Sequence, residues 1–326
     1  MPPFTADAAQ SIAALGECGL IEHIRKWLGD VTAPSPRGIG DDCAVLPARP
    51  LPGARLVTTD SVLWGRHFDD SVTPRAAGAK LIKRNLSDIA AMGGTPADAV
   101  LSLIIGPDVA VGWMAEFFDG VAESCRAWGV ELAGGDIAAA PEGFFCATLS
   151  LTGFAEKPLL RQGAFVGDAL LVTGELGGSL AGKHYAFTPR LAEGRWLAAR
   201  PEVRAGMDIS DGLAKDIPAM LPAGADALLD TASIPVSAAA RQMSGDADEA
   251  LCRALNDGED YELLVAVESR LVAPLLAAWH EAFPGEALTR IGNIIPAQES
   301  PGGRLLDVKT GSPIDARLRG YRHFER

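Results

Sequence analysis

Six short segments of this chain set carboxylates directly beside Gly, Ser or Thr, and each lies where an apolar run begins or ends. They are Gly38-Ile39-Gly40-Asp41-Asp42, Thr58-Thr59-Asp60-Ser61, Asn85-Leu86-Ser87-Asp88, Gly134-Gly135-Asp136, Asp208-Ile209-Ser210-Asp211-Gly212 and Asp257-Gly258-Glu259-Asp260-Tyr261. Any one alone is ordinary turn or helix-cap chemistry. Six together ask for a fold in which element ends converge. Glycine admits a ligand close to the backbone, and short carboxylates and hydroxyls offer only oxygen. Such oxygen sets suit hard cations such as magnesium, which take a few carboxylates plus substrate phosphate.

The charge balance agrees. A formal net charge of −13 repels nucleic acid and anionic lipid, so neither is an expected partner. A phosphate ligand would then need bound cations, because the chain has no dense Lys/Arg run. With 326 residues, 48% of them hydrophobic, two domains with substantial cores are expected. The five cysteines, Cys18, Cys43, Cys125, Cys146 and Cys252, form no C-x-x-C pair. Reduced thiols are expected rather than zinc or a disulfide framework. The start Met1-Pro2-Pro3-Phe4 lacks a basic and then apolar leader, and no apolar run reaches the roughly 20 residues of a membrane span. A cytoplasmic protein is expected.

Apolar spacing predicts a helix over Glu17–Leu28, then a Pro/Gly-rich connector and short strands at Cys43–Leu46 and Arg55–Thr59. Thr73–Met92 reads as a long helix, with Pro74 in its first turn and Gly93-Gly94 at its end. A strand at Ala97–Ile105, a helix at Val109–Trp128, and strands at Val130–Ala133 and Phe144–Phe154 complete a first half. The polar stretch Glu156–Gly167 marks a junction, giving domains 1–155 and 156–326. The second half holds a strand at Ala169–Thr173, a Gly-rich loop over Gly174–Gly182 and helices to about Arg200. A polar knot at Asp208–Gly212 precedes another helix. Strands at Ala225–Asp230, Tyr261–Val267 and Leu288–Ile295 enclose a helix at Ser269–Ala282. The class is α/β with α+β character.

Asp88 is the most telling single carboxylate. Asn85 and Asp88 share a face of the expected helix with Leu81 and Met92, and Leu86, Ile89, Ala90 and Ala91 flank them. A carboxylate buried there needs a cation or hydrogen-bond donors; the alternative is a surface position. Gly177-Gly178-Ser179-Leu180-Ala181-Gly182-Lys183-His184 nearly spells the phosphate-loop pattern G-x-x-x-x-G-K-[ST], but His184 replaces the hydroxyl residue. The segment also lies in the second half of the chain, so a phosphate-loop enzyme is rejected. What remains for it is a tight turn, or glycine amides near a phosphate. No G-x-S-x-G elbow occurs, and His23, His67, His184, His280 and His323 show no metal-ligand spacing.

In combination the segments resemble the thiamine-monophosphate kinases. These share a superfamily with aminoimidazole ribonucleotide synthetase, selenophosphate synthetase and a hydrogenase maturation factor. The resemblance runs from Gly16-Glu17-Cys18-Gly19-Leu20-Ile21 to Gly320-Tyr321-Arg322-His323-Phe324, and is strongest at Gly38–Leu46, Asn85–Gly93, Asp208–Leu213 and Gly258–Leu263. It implies two α/β domains per subunit and a homodimer that pairs its N-terminal sheets. It also implies magnesium-dependent transfer of phosphate from ATP to thiamine monophosphate.

Carried over by motif position, the magnesium ligands are Asp42, Thr58, Thr59, Asp60, Asp88, Asp136, Asp208 and Asp211. ATP contacts are Gly135, Asp136, Arg161 and Ser210; acceptor contacts are His67, Glu259 and Tyr321. No side chain is expected to act as a general base, because the attacking phosphate oxygen is already ionised. Two positions depart from the family pattern. Ile137 stands where Thr is usual, and Asp257 adds a charge before Gly258-Glu259-Asp260. They leave open a paralogue with another phosphorylated acceptor. A catalytically silent nucleotide- or metal-binding module is the reading from a different class.

Overall fold

The computed structural model describes residues 1–32, 39, 43, 44, 46, 53–297, 299 and 301–314. Asp41, Asp42 and Tyr321 lie outside them. The chain divides into two compact units, Met1–Ile89 with Gly94–Glu156, and Ala90–Gly93 with Lys157–Arg326.

The first unit carries α1 (Gly16–Leu28), β1 (Ala54–Leu63), α2 (Pro74–Ala91, but for its last two residues), β2 (Thr95–Ile105), α3 (Val111–Trp128), β3 (Glu131–Ala139) and β4 (Phe145–Ala155). Its four-stranded sheet has the order β1-β4-β2-β3; β1 and β2 flank β4 antiparallel, and β3 runs parallel to β2. The sequence writes the sheet's two faces in β4. Phe145, Ala147, Leu149 and Leu151 are buried, while Cys146, Thr148, Ser150 and Thr152 between them stay half-exposed. On the buried side Phe117, Phe118 and Val121 of α3 and Leu81, Ile82 and Leu86 of α2 are fully buried. Thr73 starts α2: its hydroxyl accepts from the Ala76 N–H at 3.2 Å, with Pro74 just inside. At the other end the Gly94 N–H closes on the Ile89 carbonyl at 2.8 Å.

Three strand readings change. The strand read over Arg55–Thr59 runs on to Leu63, so Asp60 sits within β1 rather than after it. Its pairing with β4 continues through Asp60↔Leu149 to Leu63↔Cys146, and Val62 returns to the core. The strand read over Val130–Ala133 likewise continues, putting Gly134, Gly135 and Asp136 inside β3. Gly135 serves close pairing there rather than a turn, since a Cβ on it would sit 1.9 Å from the Leu101 carbonyl oxygen. At the described residues Cys43, Ala44 and Leu46 no strand forms.

The second unit holds β5 (Ala169–Thr173), α4 (Lys183–Ala186), α5 (Leu191–Ala198), β6 (Val203–Ile209), α6 (Leu213–Met220), β7 (Ala225–Leu229), α7 (Ala238–Gln242), α8 (Ala247–Asn256), β8 (Glu262–Val267), α9 (Val272–Ala282), β9 (Leu288–Pro296) and β10 (Leu305–Asp307). The six-stranded sheet runs β10-β7-β9-β5-β8-β6, antiparallel except for β10 beside β7. Both faces are covered, which is why β5 and β8 are buried at every position. Leu170, Val172, Met207, Ile209 and Leu264 pack with Leu213, Ile217 and Leu255 on one face. Leu171, Val203, Leu263 and Val265 pack with Leu197, Leu275 and Trp279 on the other. The expected helix at Ser269–Ala282 is a 3-10 turn at Ser269–Leu271 followed by α9. Edge strands β6 and β10 were not expected: Gly206 and Asp208 are poor strand formers, and β10 has three residues.

Candidate active site

Strand alternation sorts the first unit's site residues onto two faces. Thr58 and Asp60 share the helix-facing side of β1 with buried Leu56 and Val62. There the Thr58 hydroxyl donates to Asp88 on α2. Arg84, one turn earlier on α2, donates from Nη2 to Asp60 Oδ1 at 3.0 Å and from Nη1 to the Ser61 carbonyl at 2.9 Å. Asp88 is half-buried, between a core position and an exposed one. Asn85, fully buried on the same helix face, donates to the Leu81 carbonyl while its Oδ1 accepts no hydrogen bond. The carboxylates, the Thr58 hydroxyl and the orphaned Asn85 amide oxygen are donors of the kind a hard cation takes, although Arg84 already occupies Asp60 Oδ1. Among the described residues no three His, Cys, Asp or Glu side chains already lie together as a metal site.

His67 is presented by a tight turn after β1. Its ring Nδ1 accepts from the Leu63 N–H at 3.0 Å, so a neutral ring carries its proton on Nε2. The ammonium of Lys80, a fully buried residue of α2, donates to the His67 carbonyl at 2.6 Å and fixes the turn from below.

Thr59 faces the other way. Its hydroxyl donates to the Leu149 carbonyl and accepts from Ser150, both at 3.1 Å. The register then draws a row across the open face: Ser61 opposite Thr148, Thr148 opposite Ser102, Ser102 beside Asp136. Thr59 and Asp136 thus share this face, apart from Thr58, Asp60 and Asp88. A cavity of about 550 Å3 opens here, with Gly134, Gly135, Asp136, Ser102, Thr148 and Ser150 along one side. Ile21, Ile24, Phe118 and Leu132 give it an apolar wall, and Ile137 lines it as well. Such a mixed cleft suits a ligand with a flat apolar ring and a charged tail.

The second unit gathers its own set. Asp208 is buried in β6, and Ser210 and Asp211 follow in the turn into α6. One oxygen of Asp216 accepts from both the Ser210 and Asp211 N–H groups at 3.1 Å, and Lys215 donates to Asp211. Burial pushes the Asp216 carboxyl up to about 7 against the pull of those amides and of Arg161. Arg161 itself is exposed; the Leu160 carbonyl beside it accepts from the Gly206 N–H of β6 at 3.0 Å.

Glu259 and Tyr261 both adopt left-handed backbone, with φ of 63° and 53°. They are held there by the Glu259 N–H on the Ser210 carbonyl (2.8 Å) and the Tyr261 N–H on the Ile209 carbonyl (2.9 Å). The neighbouring Gly-rich loop turns its amides inward. The Gly177 N–H donates to both Asp260 oxygens at 3.0 Å, and the Gly178 N–H to Asp257 Oδ2 at 2.8 Å.

Comparison with known proteins gives the family. Residues 40–155 match the family model described as AIR synthase related protein, N-terminal domain. A thiamine-monophosphate kinase of Rhodopirellula baltica is 37% identical over 79% of this chain and 83% of its own length. That of Escherichia coli strain K12 is 33% identical over 95% and 99%. The chain belongs to the thiamine-monophosphate kinase family. A solved structure described as AaThiL complexed with AMPPCP and TMP superposes with a TM-score of 0.71 at 28% identity, covering 95% of the kinase and 98% of that chain.

With the family shown, the enzyme's two departures look different from their sequence reading. Asp257 spends its charge on the Gly178 amide, with Arg253 4.0 Å away. Ile137 adds apolar wall to the open-face cavity of the kinase. Sequence reasoning passed over Lys80, Arg84 and Asp216. The signal applied to Asp88, a charged residue on an apolar helix face, also marks Asp216, which lies among buried Leu213, Ile217 and Met220. Lys80, beside buried Leu81 and Ile82, carries it too. Among the described residues no helix is long and apolar enough to cross a membrane.

Proposed function

We propose that the kinase moves the γ-phosphoryl group of ATP onto the phosphate of thiamine monophosphate. The product is thiamine diphosphate, and transfer is in line with no phosphorylated enzyme. The observation that carries this reading is the relative solved with AMPPCP, an ATP analogue, and TMP, whose likeness spans 95% of this chain.

The nucleotide side is read as Gly135, Asp136, Arg161 and Ser210. The extended backbone at Gly135 lets phosphate come near, and the apolar wall of Ile21, Ile24 and Phe118 suits an adenine ring. Arg161 supplies a guanidinium for phosphate. The acceptor side is read as His67, Glu259 and Tyr321, with His67 offering an Nε2–H donor. Magnesium ligands are assigned to Asp42, Thr58, Thr59, Asp60, Asp88, Asp136, Asp208 and Asp211, of which Thr58, Asp60 and Asp88 sit on the same side of β1. Bound magnesium supplies charge neutralisation for the phosphate oxygens. The protein's part is positional. Arg84 holds Asp60, Asp216 holds the Ser210–Asp211 turn, and Lys80 holds the His67 turn. A general base is unnecessary, because the attacking oxygen belongs to an ionised phosphate.

A homodimer that pairs its N-terminal sheets is part of the reading. Val57 of edge strand β1 is 70% exposed, whereas the strands that line the cavity are β2, β3 and β4. A cytoplasmic location goes with ATP use. The test is an acceptor panel: with magnesium and ATP, thiamine monophosphate should be consumed and thiamine should not. ATP use that depends on another phosphorylated acceptor, with no thiamine diphosphate formed, would overturn the substrate assignment.

A further inference from the structure

The loop that imitates a phosphate-binding motif does something else. Its glycine amides are occupied by the chain's own carboxylates, as described above, and its lysine is occupied as well. Lys183 reaches Glu262 at 2.9 Å and Asp260 at 3.7 Å. Ser179 Oγ donates to the Gly258 carbonyl at 2.5 Å, and the Gly177 carbonyl accepts from Ser237 at 2.6 Å. Residues 177–184 and 257–262 are therefore one clamped unit, with Asp260 seated where a phosphate loop would hold an anion.

The clamp supports Glu259, which stays partly accessible. Its carboxylate is 21% exposed and has a protein neighbour at each oxygen. The Tyr261 hydroxyl donates to Oε1 at 3.1 Å, and His184 Nδ1 lies 3.5 Å from Oε2. Each neighbour is itself braced. The Tyr261 ring stacks on Phe187 at 4.1 Å, and the buried His184 ring meets Tyr185 edge-on at 4.9 Å. Backbone strain at Glu259 and Tyr261 is held by the clamp. Gly258 cannot carry a side chain, because a Cβ would meet the Ser210 carbonyl oxygen at 2.8 Å.

We propose that His184, with the Tyr261 hydroxyl, is a positioning residue that fixes the direction of the Glu259 carboxylate toward the acceptor. The residue that breaks the phosphate-loop pattern is then the one the acceptor site requires. A carboxylate bonded by Tyr261 at Oε1 and flanked by His184 at Oε2 keeps its remaining lone pairs in set directions, suited to a cationic or N–H-bearing ring such as those of thiamine monophosphate. The proposal rests on the reading that Glu259 contacts the acceptor, and its test separates the two.

The test measures KM for thiamine monophosphate, KM for ATP and kcat in four variants, with thermal melts to confirm folding. Glu259→Gln should raise the acceptor KM. His184→Ala and Tyr261→Phe should each raise it about tenfold while the ATP KM and kcat stay within about twofold, the pattern of lost binding. His184→Gln, which retains an N–H donor, should recover most of the loss. A Glu259→Gln effect with no change in the acceptor KM in His184→Ala or Tyr261→Phe overturns the positioning role alone. An unchanged acceptor KM in Glu259→Gln overturns the reading beneath it and the proposal with it. If His184→Ala fails to fold, the Tyr261→Phe result decides. Parallel rises in both KM values, with no selective recovery in His184→Gln, would mean a structural histidine only.

Discussion

The Thr58 hydroxyl on edge strand β1 donates to the Asp88 carboxylate on α2, so the sheet edge and the long helix are joined at two residues proposed as magnesium ligands. Thr58→Val keeps the shape of the side chain and removes that donor. Stability should fall by about 1 kcal/mol, the usual net worth of one hydrogen bond. Activity should fall by about 10- to 100-fold, as when the partner of a metal ligand is removed. Melts and turnover on the same preparation check this; full activity in a destabilised variant would leave Thr58 a structural tie.

Asp60 tests whether the carboxylates serve a bound ligand. Its pair with Arg84 is partly exposed, and such pairs contribute about 0–1 kcal/mol. In chelator, Asp60→Asn should therefore melt close to the parent. With magnesium and ATP a hundredfold above the dissociation constant, the parent should gain about 2.7 kcal/mol and the variant much less. A variant that melts well below the parent in chelator yet keeps the full ligand gain would assign Asp60 to folding.

Asp260 gives a pH signature. Burial raises its carboxyl to about 7, with Lys183 and the Gly177 amide pulling the other way. A carboxyl whose folded value lies above its unfolded one binds more protons when folded. Its contribution is fully present below about pH 4 and is lost as pH rises toward 7. The melting temperature of the parent minus that of Asp260→Asn should therefore be larger at pH 5 than at pH 8. A difference that grows with pH would show that Lys183 and the amide outweigh burial.

The long apolar elements were legible because period and caps agree: Thr73-Pro74 and Gly93-Gly94 bracket α2 within a residue or two. The site segments were legible as chemistry but not as shape. Asp60 and Asp136 were read as strand ends, because Asp and Gly are poor strand formers, yet pairing with β4 and with β2 carries both strands onward. The strand expected over Arg55–Thr59 already runs through Thr58 and Thr59, so alternation alone places them on opposite faces. The inward use of the Gly177 and Gly178 amides was not legible, since Asp257 and Asp260 lie about 80 residues away in sequence.

The edge of the first sheet makes assembly testable. Val57→Asp would place a charge at a residue of edge strand β1 that is 70% exposed. If two copies pair there, association should weaken by about 2–5 kcal/mol, seen by light scattering over a dilution series. A parent that is monomeric at micromolar concentration would remove the dimer from the account.

The most direct measurement follows the phosphate itself. ATP labelled at its γ-phosphate is mixed with the kinase, magnesium and thiamine monophosphate, and product and protein are separated over a single turnover. Label should appear in thiamine diphosphate at one equivalent per ATP consumed, with none on the protein and none transferred to thiamine. Label released only as inorganic phosphate, or trapped on the enzyme before product forms, would contradict direct transfer to thiamine monophosphate.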